Sequence, residues 1–178
     1  MASGPDFQPT LIGKTVILRP TVAKDWAEMF AVASDPLIWE LHPAHDRWQE
    51  DVFRRFFDDA LACGGGLTIC DKASGAIIGA SRYSTGWSGE GEVEIGWTFL
   101  SRSRWGGATN REVKALMLDH AHRWFDTCLF MVGENNLRSR RAMEKIGGVL
   151  RDDRRSHDMA GTATTHVIYA IRRPKQTA

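Results

Sequence analysis

Apolar and polar positions alternate along the chain in two rhythms, and each rhythm assigns its stretch. Thr15-Val-Ile-Leu-Arg19 predicts a first strand, ended by Pro20. Between Ala23 and Ser34, Trp26, Met29, Phe30 and Ala33 fall at i, i+3, i+4 and i+7, the spacing of one helix face. Asp35-Pro36 stops that helix, because the residue before proline avoids the helical region. Asp46 to Cys63 predicts a second helix with Phe53, Phe56 and Phe57 on its apolar face, closed by Gly64-Gly-Gly66. Strands follow at Leu67–Cys70, Gly75–Tyr83 and Glu92–Leu100, the first two joined by the turn signal Asp71-Lys-Ala-Ser-Gly75. The strongest helix spans about Asn110 to Phe125, where Val113, Leu116, Met117, His120, Ala121, Trp124 and Phe125 make one stripe. Phe130–Val132 is a short strand, and Asn136–Ile146 a helix stopped by Gly147. Val149–Asp152 and Thr164–Ile171 are the last strands. The order β-α-α-β-β-β-α-β-α-β-β predicts an α/β domain with a mixed sheet covered by helices, not a doubly wound dinucleotide fold.

The length of 178 residues suits one domain, residues 1–178, with a core large enough to need neither disulfides nor a metal. The 23 basic and 22 acidic side chains leave a formal charge of +1, which argues against a chain that coats nucleic acid or an anionic membrane. The sum hides a split. Residues 1–101 carry 8 basic and 14 acidic side chains, residues 102–145 carry 9 and 5, and residues 146–178 carry 6 and 3. The basic middle suits a phosphate-rich ligand, and the acidic first part suits a cationic amine. Cys63, Cys70 and Cys128 have no Cys-x-x-Cys spacing or local activating signature. With no membrane-length apolar run and no signal pattern in Met1–Thr10, they point to a reduced, cytoplasmic setting. The six histidines are scattered and form no metal motif; His120, in an apolar stripe, reads as core.

Two segments carry candidate chemistry. Arg102-Ser-Arg-Trp-Gly-Gly-Ala-Thr-Asn110 joins a strand to the best helix. A glycine loop leading into a helix N-terminus, with its orphan N–H groups and positive dipole end, is a site for phosphate or pyrophosphate. Thr109 and Glu112 have capping-box spacing, which would satisfy some of those donors internally and leave Gly106, Gly107 and Ala108 free. The plain alternative is a turn followed by a normal cap. In the second segment, Asn136 sits at an N-cap position with Ser139 three residues on, which by themselves read as a cap and a small inward serine.

Glu94-Ile-Gly-Trp97, Trp105-Gly-Gly-Ala-Thr-Asn-Arg-Glu112 and Asn136-x-x-Ser139 followed by Glu144-Lys-Ile-Gly147 stand in order and in register with the predicted elements. Together with Leu18-Arg-Pro20, Asp25 and Asp35-Pro36 they resemble the GNAT superfamily of acyl-CoA-dependent N-acyltransferases, in the branch of the ribosomal-protein N-terminal acetyltransferases. The likeness runs from about Leu11 to Ile171. It implies a mostly antiparallel sheet splayed at its centre and flanked by about four helices. It also implies an acetyl-CoA donor, no metal, and an amine acceptor that attacks the thioester directly.

By the same resemblance, Trp105, Gly106, Gly107, Ala108, Thr109 and Asn110 form the pyrophosphate loop. Arg102 and Arg104 flank it in place of the family's Gln or Arg, which is Ser103 here, and Arg141 adds charge. The backbone of Trp97, Thr98 and Phe99 runs beside the pantetheine arm, and Asn136 faces the thioester. Glu94 is the candidate base, with Glu92 on its face by the two-residue period; the other reading pairs Glu94 with an arginine. Many relatives carry a tyrosine acid where this chain has Met143, so Ser139 is the candidate to protonate the departing thiolate. Acceptor contacts are expected from Leu37–Arg47, including Trp39 and Glu40, from Glu92 and Trp87, and from the last hairpin near His157. The acceptor is a protein N-terminus or a small-molecule amine, and the chain a monomer or homodimer. The altered positions Ser103 and Met143 support an alternative: a non-catalytic acyl-CoA-binding sensor or scaffold.

Overall fold

Eight strands lie in one sheet in the order β1-β2-β3-β4-β5-β6-β8-β7. The computed structural model describes residues 4–175, so both ends of the expected domain lie outside the described residues. The strands are β1 (Leu11–Ile12), β2 (Val16–Pro20), β3 (Gly66–Asp71), β4 (Ile77–Ser84), β5 (Glu92–Leu100), β6 (Thr127–Gly133), β7 (Val149–Met159) and β8 (Thr162–Arg172). The helices are α1 (Trp26–Ala33), α2 (Glu50–Ala62), α3 (Thr109–Ala121) and α4 (Leu137–Lys145). Every neighbouring pair is antiparallel except β5 with β6.

Successive strand residues point to opposite faces, and this divides the core in two. Ile77 and Phe99 join Met29, Ala33, Phe53, Phe56 and Phe57 under α1 and α2. Their sequence neighbours Ile78 and Leu100 join Val113, Met117 and Met143 under α3 and α4. The phenylalanine trio expected on the second helix is buried, each ring contributing about 1.5–3 kcal/mol of transfer free energy. Asp25 anchors the first helix. Burial works against its charge, but both Arg19 guanidinium ends at 2.8 Å, Thr68 and the Val22 N–H outweigh it, so its pKa is lowered.

The site depends on two departures from regular sheet. Between Ala80 and Arg82 β4 advances two residues while β5 advances three, from Gly96 to Phe99. The extra residue makes a β-bulge, and Trp97 takes a left-handed φ of 52° within it. The bulge shifts the alternation by one, so Val93 and Ile95 face α3 but Trp97 and Phe99 face α1 and α2. The second departure is the parallel pair. β5 and β6 pair only through Glu92–Glu94 with Thr127–Leu129 and then part. This is the predicted splay of the sheet.

Several boundaries differ from expectation. α2 begins at Glu50 rather than Asp46, because residues 46–49 fold as turns. α3 ends at Ala121, where the N–H groups of Arg123, Trp124 and Phe125 turn back onto the preceding carbonyls and bring the chain into β6. β7 extends seven residues past Asp152, and its pairing shifts between Leu150 and Arg154.

Candidate active site

Where β5 and β6 part, a cavity of about 310 Å³ opens between the strands. One wall is β5 from Glu94 to Leu100; the other is β6 from Phe130 to Gly133 with Asn136, Ser139 and Met143 of the α4 turn. Arg104, Trp105, Gly106, Gly107, Asn110 and Lys114 close one end, and Trp39, His42, Arg47, Met159 and His166 the other, with Ile38 and Trp105 bridged by Arg138 between them.

At the first end the glycine loop meets the start of α3. Gly106 has φ 72°, a conformation that favours glycine. The expected capping box does not form. Ala108 is the N-cap, and Glu112 instead takes the Thr15 N–H at 2.9 Å and the Thr15 hydroxyl at 2.6 Å. The N–H groups of Gly106, Gly107, Ala108, Thr109 and Asn110 therefore have no acceptor among the described residues. They form a donor cluster at the positive end of a helix, the arrangement that holds a pyrophosphate. The flanking arginines are already engaged. Arg102 is ion-paired with Asp35 outside the cavity, and Arg104 with Asp71 at 2.9 Å. Arg138, a cavity residue with no motif of its own in the sequence, lies over the Trp105 ring at 4.0 Å, and Arg141 is exposed on α4.

Beyond residue 94, the edge of β5 that faces β6 has no strand partner, so Trp97, Thr98 and Phe99 offer backbone groups along the gap. Lys114 projects from α3 into this gap, only 3% exposed, with its ammonium 2.6 Å from the Thr98 hydroxyl and no ion-paired carboxylate among the described residues. Burial pushes its pKa down to about 7. Its signal was present in the sequence. It lies four residues after Asn110 and three before Met117, on the helix face that enters the cavity.

Glu94 is 2% exposed on the β5 wall. Its carboxylate accepts the indole N–H of Trp87, and no arginine is ion-paired with it. Burial pushes its pKa up to about 7, while Trp87, Arg155 and Arg82 pull in the opposite direction without prevailing. A Cβ on Gly96 would stand 3.0 Å from Oε1 of Glu94, so the missing side chain leaves room for the carboxylate to lie along the strand. Across the gap, Asn136 caps α4 by accepting the Ser139 N–H at 3.1 Å, and the Ser139 hydroxyl has no partner among the described residues.

Trp39 lines the far end, 2% exposed, with its indole donating to the Ala33 carbonyl. Ile38, His42 and Arg47 of the expected Leu37–Arg47 segment and Met159 of the last hairpin also line the cavity, whereas Glu40, Glu92 and Trp87 do not. Glu92 is held by Arg151 at 2.9 Å and by the Gly89 N–H, Glu40 faces solvent, and Trp87 supports Glu94 from behind. The cavity is not acidic: among the described lining residues, Glu94 is the one carboxylate, against Arg47, Arg104, Arg138 and Lys114. The acidic residues of the first part of the chain lie elsewhere on the surface, so total segment charge did not predict the charge of the site. No group of His, Cys, Asp or Glu able to hold a metal occurs among the described residues.

Residues 15–149 match the family described as Acetyltransferase (GNAT) domain. No curated protein matches the chain in sequence. Among solved structures, a probable GNAT-family acetyltransferase from Chromobacterium violaceum is similar at TM-score 0.81 and 21% identity, over 96% of this chain and 88% of that one. Mycobacterium smegmatis RimJ in complex with CoA-disulfide is similar at 0.73 and 18%, over 94% and 89%. Ribosomal-protein-S5-alanine acetyltransferase from Vibrio fischeri is similar at 0.68 and 14%, over 96% and 100%. At these identities the likeness shows the fold, and the match over residues 15–149 shows the rest: the chain belongs to the GNAT acetyltransferase family, enzymes that transfer an acyl group from acetyl-CoA.

Proposed function

We propose that the protein, residues 1–178 as one domain, acetylates a primary amine, with Glu94 as the base that frees the amine of its proton. The observation that carries the reading is the Glu94 carboxylate, 2% exposed on the wall of the gap between β5 and β6, where burial pushes its pKa up to about 7. A general base is most effective when its pKa lies near the working pH. The cavity fits acetyl-CoA. The free N–H groups of Gly106 to Asn110 suit its pyrophosphate, and the unpaired edge of Trp97, Thr98 and Phe99 suits its amide-bearing arm. When bound, acetyl-CoA supplies an activated thioester. The chain's own groups do the rest. Glu94 receives the ammonium proton, directly or through water. Asn136 fixes the α4 turn against the cavity. The freed amine nitrogen bonds to the thioester carbon as the C–S bond breaks, and the uncommitted Ser139 hydroxyl relays the proton shed by that nitrogen to the departing thiolate and is itself left protonated. A thiolate leaves readily, so a weak acid is enough at that position and no tyrosine is needed at Met143.

The acceptor is a protein N-terminus or a small amine, and the setting a reducing, cytoplasmic one in keeping with three free cysteines. Among the described residues no helix is long and apolar enough to cross a membrane. The test is release of CoA thiol from acetyl-CoA across a panel of amines and peptides at pH 8. Thiol release that depends on the amine and is lost in Glu94→Gln supports the reading. Tight acetyl-CoA binding without release by any acceptor refutes it and favours a binding module.

A further inference from the structure

At the far end of the cavity, Arg47 in the lining and Arg82 behind it have no ion-pair partner among the described residues, and Asp46, Asp59 and Glu94 act on them only from a distance. Arg47 lies on the Phe56 ring, its guanidinium carbon 4.6 Å from the centroid, and 5.6 Å from the centroid of Trp39. None of its five donors makes a hydrogen bond or ion pair among the described residues, although it lines the cavity together with Glu94. Arg82 lies against the same Phe56 ring at 5.4 Å and against Trp97 at 4.8 Å. It is 6% exposed, its one hydrogen bond goes to the Phe56 carbonyl at 3.1 Å, and its Nε is buried with no partner. Two guanidinium groups sharing one aromatic ring repel each other, and burial adds to the cost. Burial is the larger cause and the Arg82 charge the second; Asp46 and Asp59 pull the other way without prevailing, and the pKa of Arg47 falls to about 10.

Arg82 pairs in register with Gly96, and Ser84 with Glu94, so Arg82 and Glu94 are diagonal neighbours on one face. The unfilled donors therefore lie on the same side of the sheet as the proposed base. The nearby His42 adds no third positive charge: burial pushes its pKa down to about 3, its Nδ1 accepts the Ala44 N–H, and the ring is neutral.

We propose that the acceptor is a small amine that also carries a carboxylate, which Arg47 binds with Arg82 behind it while the amino group faces Glu94. The inference rests on the acetyl-transfer reading and narrows it. Planar guanidinium donors match a carboxylate in two-point geometry. The apolar walls of Ile38, Trp39 and Met159 strengthen such a contact by excluding water. A peptide N-terminus has no carboxylate of its own next to the amine and would leave both cations unmatched.

The test uses matched sets: amino acids, their decarboxylated amines, their carboxamides and short peptide amides. The carboxylate-bearing member should exceed its decarboxylated partner in kcat/KM by about 10- to 100-fold, the worth of a charge-assisted hydrogen bond. That preference should collapse toward unity in Arg47→Gln and return in part in Arg47→Lys. Calorimetry of the same compounds on CoA-loaded protein should show the same order of binding. Equal or better use of the decarboxylated amines or peptide amides overturns the inference while acetyl transfer stands, as does a preference that survives Arg47→Gln. If no amine turns over, calorimetry still decides: carboxylate-selective binding lost in Arg47→Gln upholds the inference while the proposed activity fails, and its absence overturns both.

Discussion

Replacing Glu94 by glutamine should separate the two costs of a buried base. The side chain has an ordinary pKa of 4.5 and one of about 7 in the fold, where burial penalises its charge. Between those values the folded chain holds a proton that the unfolded chain has released. Stability therefore falls as pH rises from about 4.5 to 7 and levels off above. The difference corresponds to about 3 kcal/mol, an order-of-magnitude figure that needs little discount for solvent because the residue is 2% exposed. Glutamine keeps an oxygen for the Trp87 N–H and carries no charge. Urea unfolding at pH 8.5 should find Glu94→Gln more stable than the native protein by about 3 kcal/mol. At pH 4 the two should agree within about 0.5 kcal/mol. The same variant should lose about 10²- to 10⁴-fold in kcat/KM at pH 8, together with the limb near pH 7. A stability difference of the same size at both pH values would refute the reasoning, because the carboxylate would then bear no desolvation cost.

Trp87→Phe removes the one hydrogen bond that favours the charged form of Glu94, so the limb of the pH–rate profile should move to higher pH; an unmoved limb contradicts the role given to Trp87. Gly96→Ala places a methyl group against Oε1 of Glu94 and should cost about tenfold in kcat with little change in acetyl-CoA affinity by calorimetry. Lys114→Met should raise the urea midpoint at pH 7, because the folded-state pKa of about 7 lies below the ordinary 10.5. The gain should be full below pH 7 and vanish toward pH 10.5, and a pH-independent gain refutes the buried-amine account.

The elements were legible wherever a face was buried. β5 is found at its predicted bounds, because Glu92–Leu100 is hydrophobic and bracketed by glycine and by Ser101. β7 runs past its predicted end at Asp152 because its exposed Arg-Asp-Asp-Arg-Arg stretch carries no alternation, and strand pairing with β8 holds it extended. The bulge at Trp97 has no periodic signature; it is visible only as the register shift against β4. The Asn136 cap and the turn at Gly106 are legible because caps and turns are local chemistry. At the acceptor end, the expected segment Leu37–Arg47 lines the cavity through Trp39, His42 and Arg47, but Arg82 carries no signal, because it meets Arg47 over the Phe56 ring only through the fold. Glu112 shows the same limit: its local spacing says capping box, but Thr15, ninety-seven residues away, takes both of its oxygens. Glu92 has the right period to stand beside Glu94, but Arg151 of β7 holds it outside the cavity.

The central claim is transfer of acetyl to an amine in the gap between β5 and β6. The direct measurement is mass spectrometry of an amine panel incubated with the protein and acetyl-CoA deuterated in its acetyl group. An amine heavier by one labelled acetyl, formed by the native chain and lost in Glu94→Gln, is the predicted result. Labelled acetyl-CoA that binds but is recovered intact with every amine contradicts it.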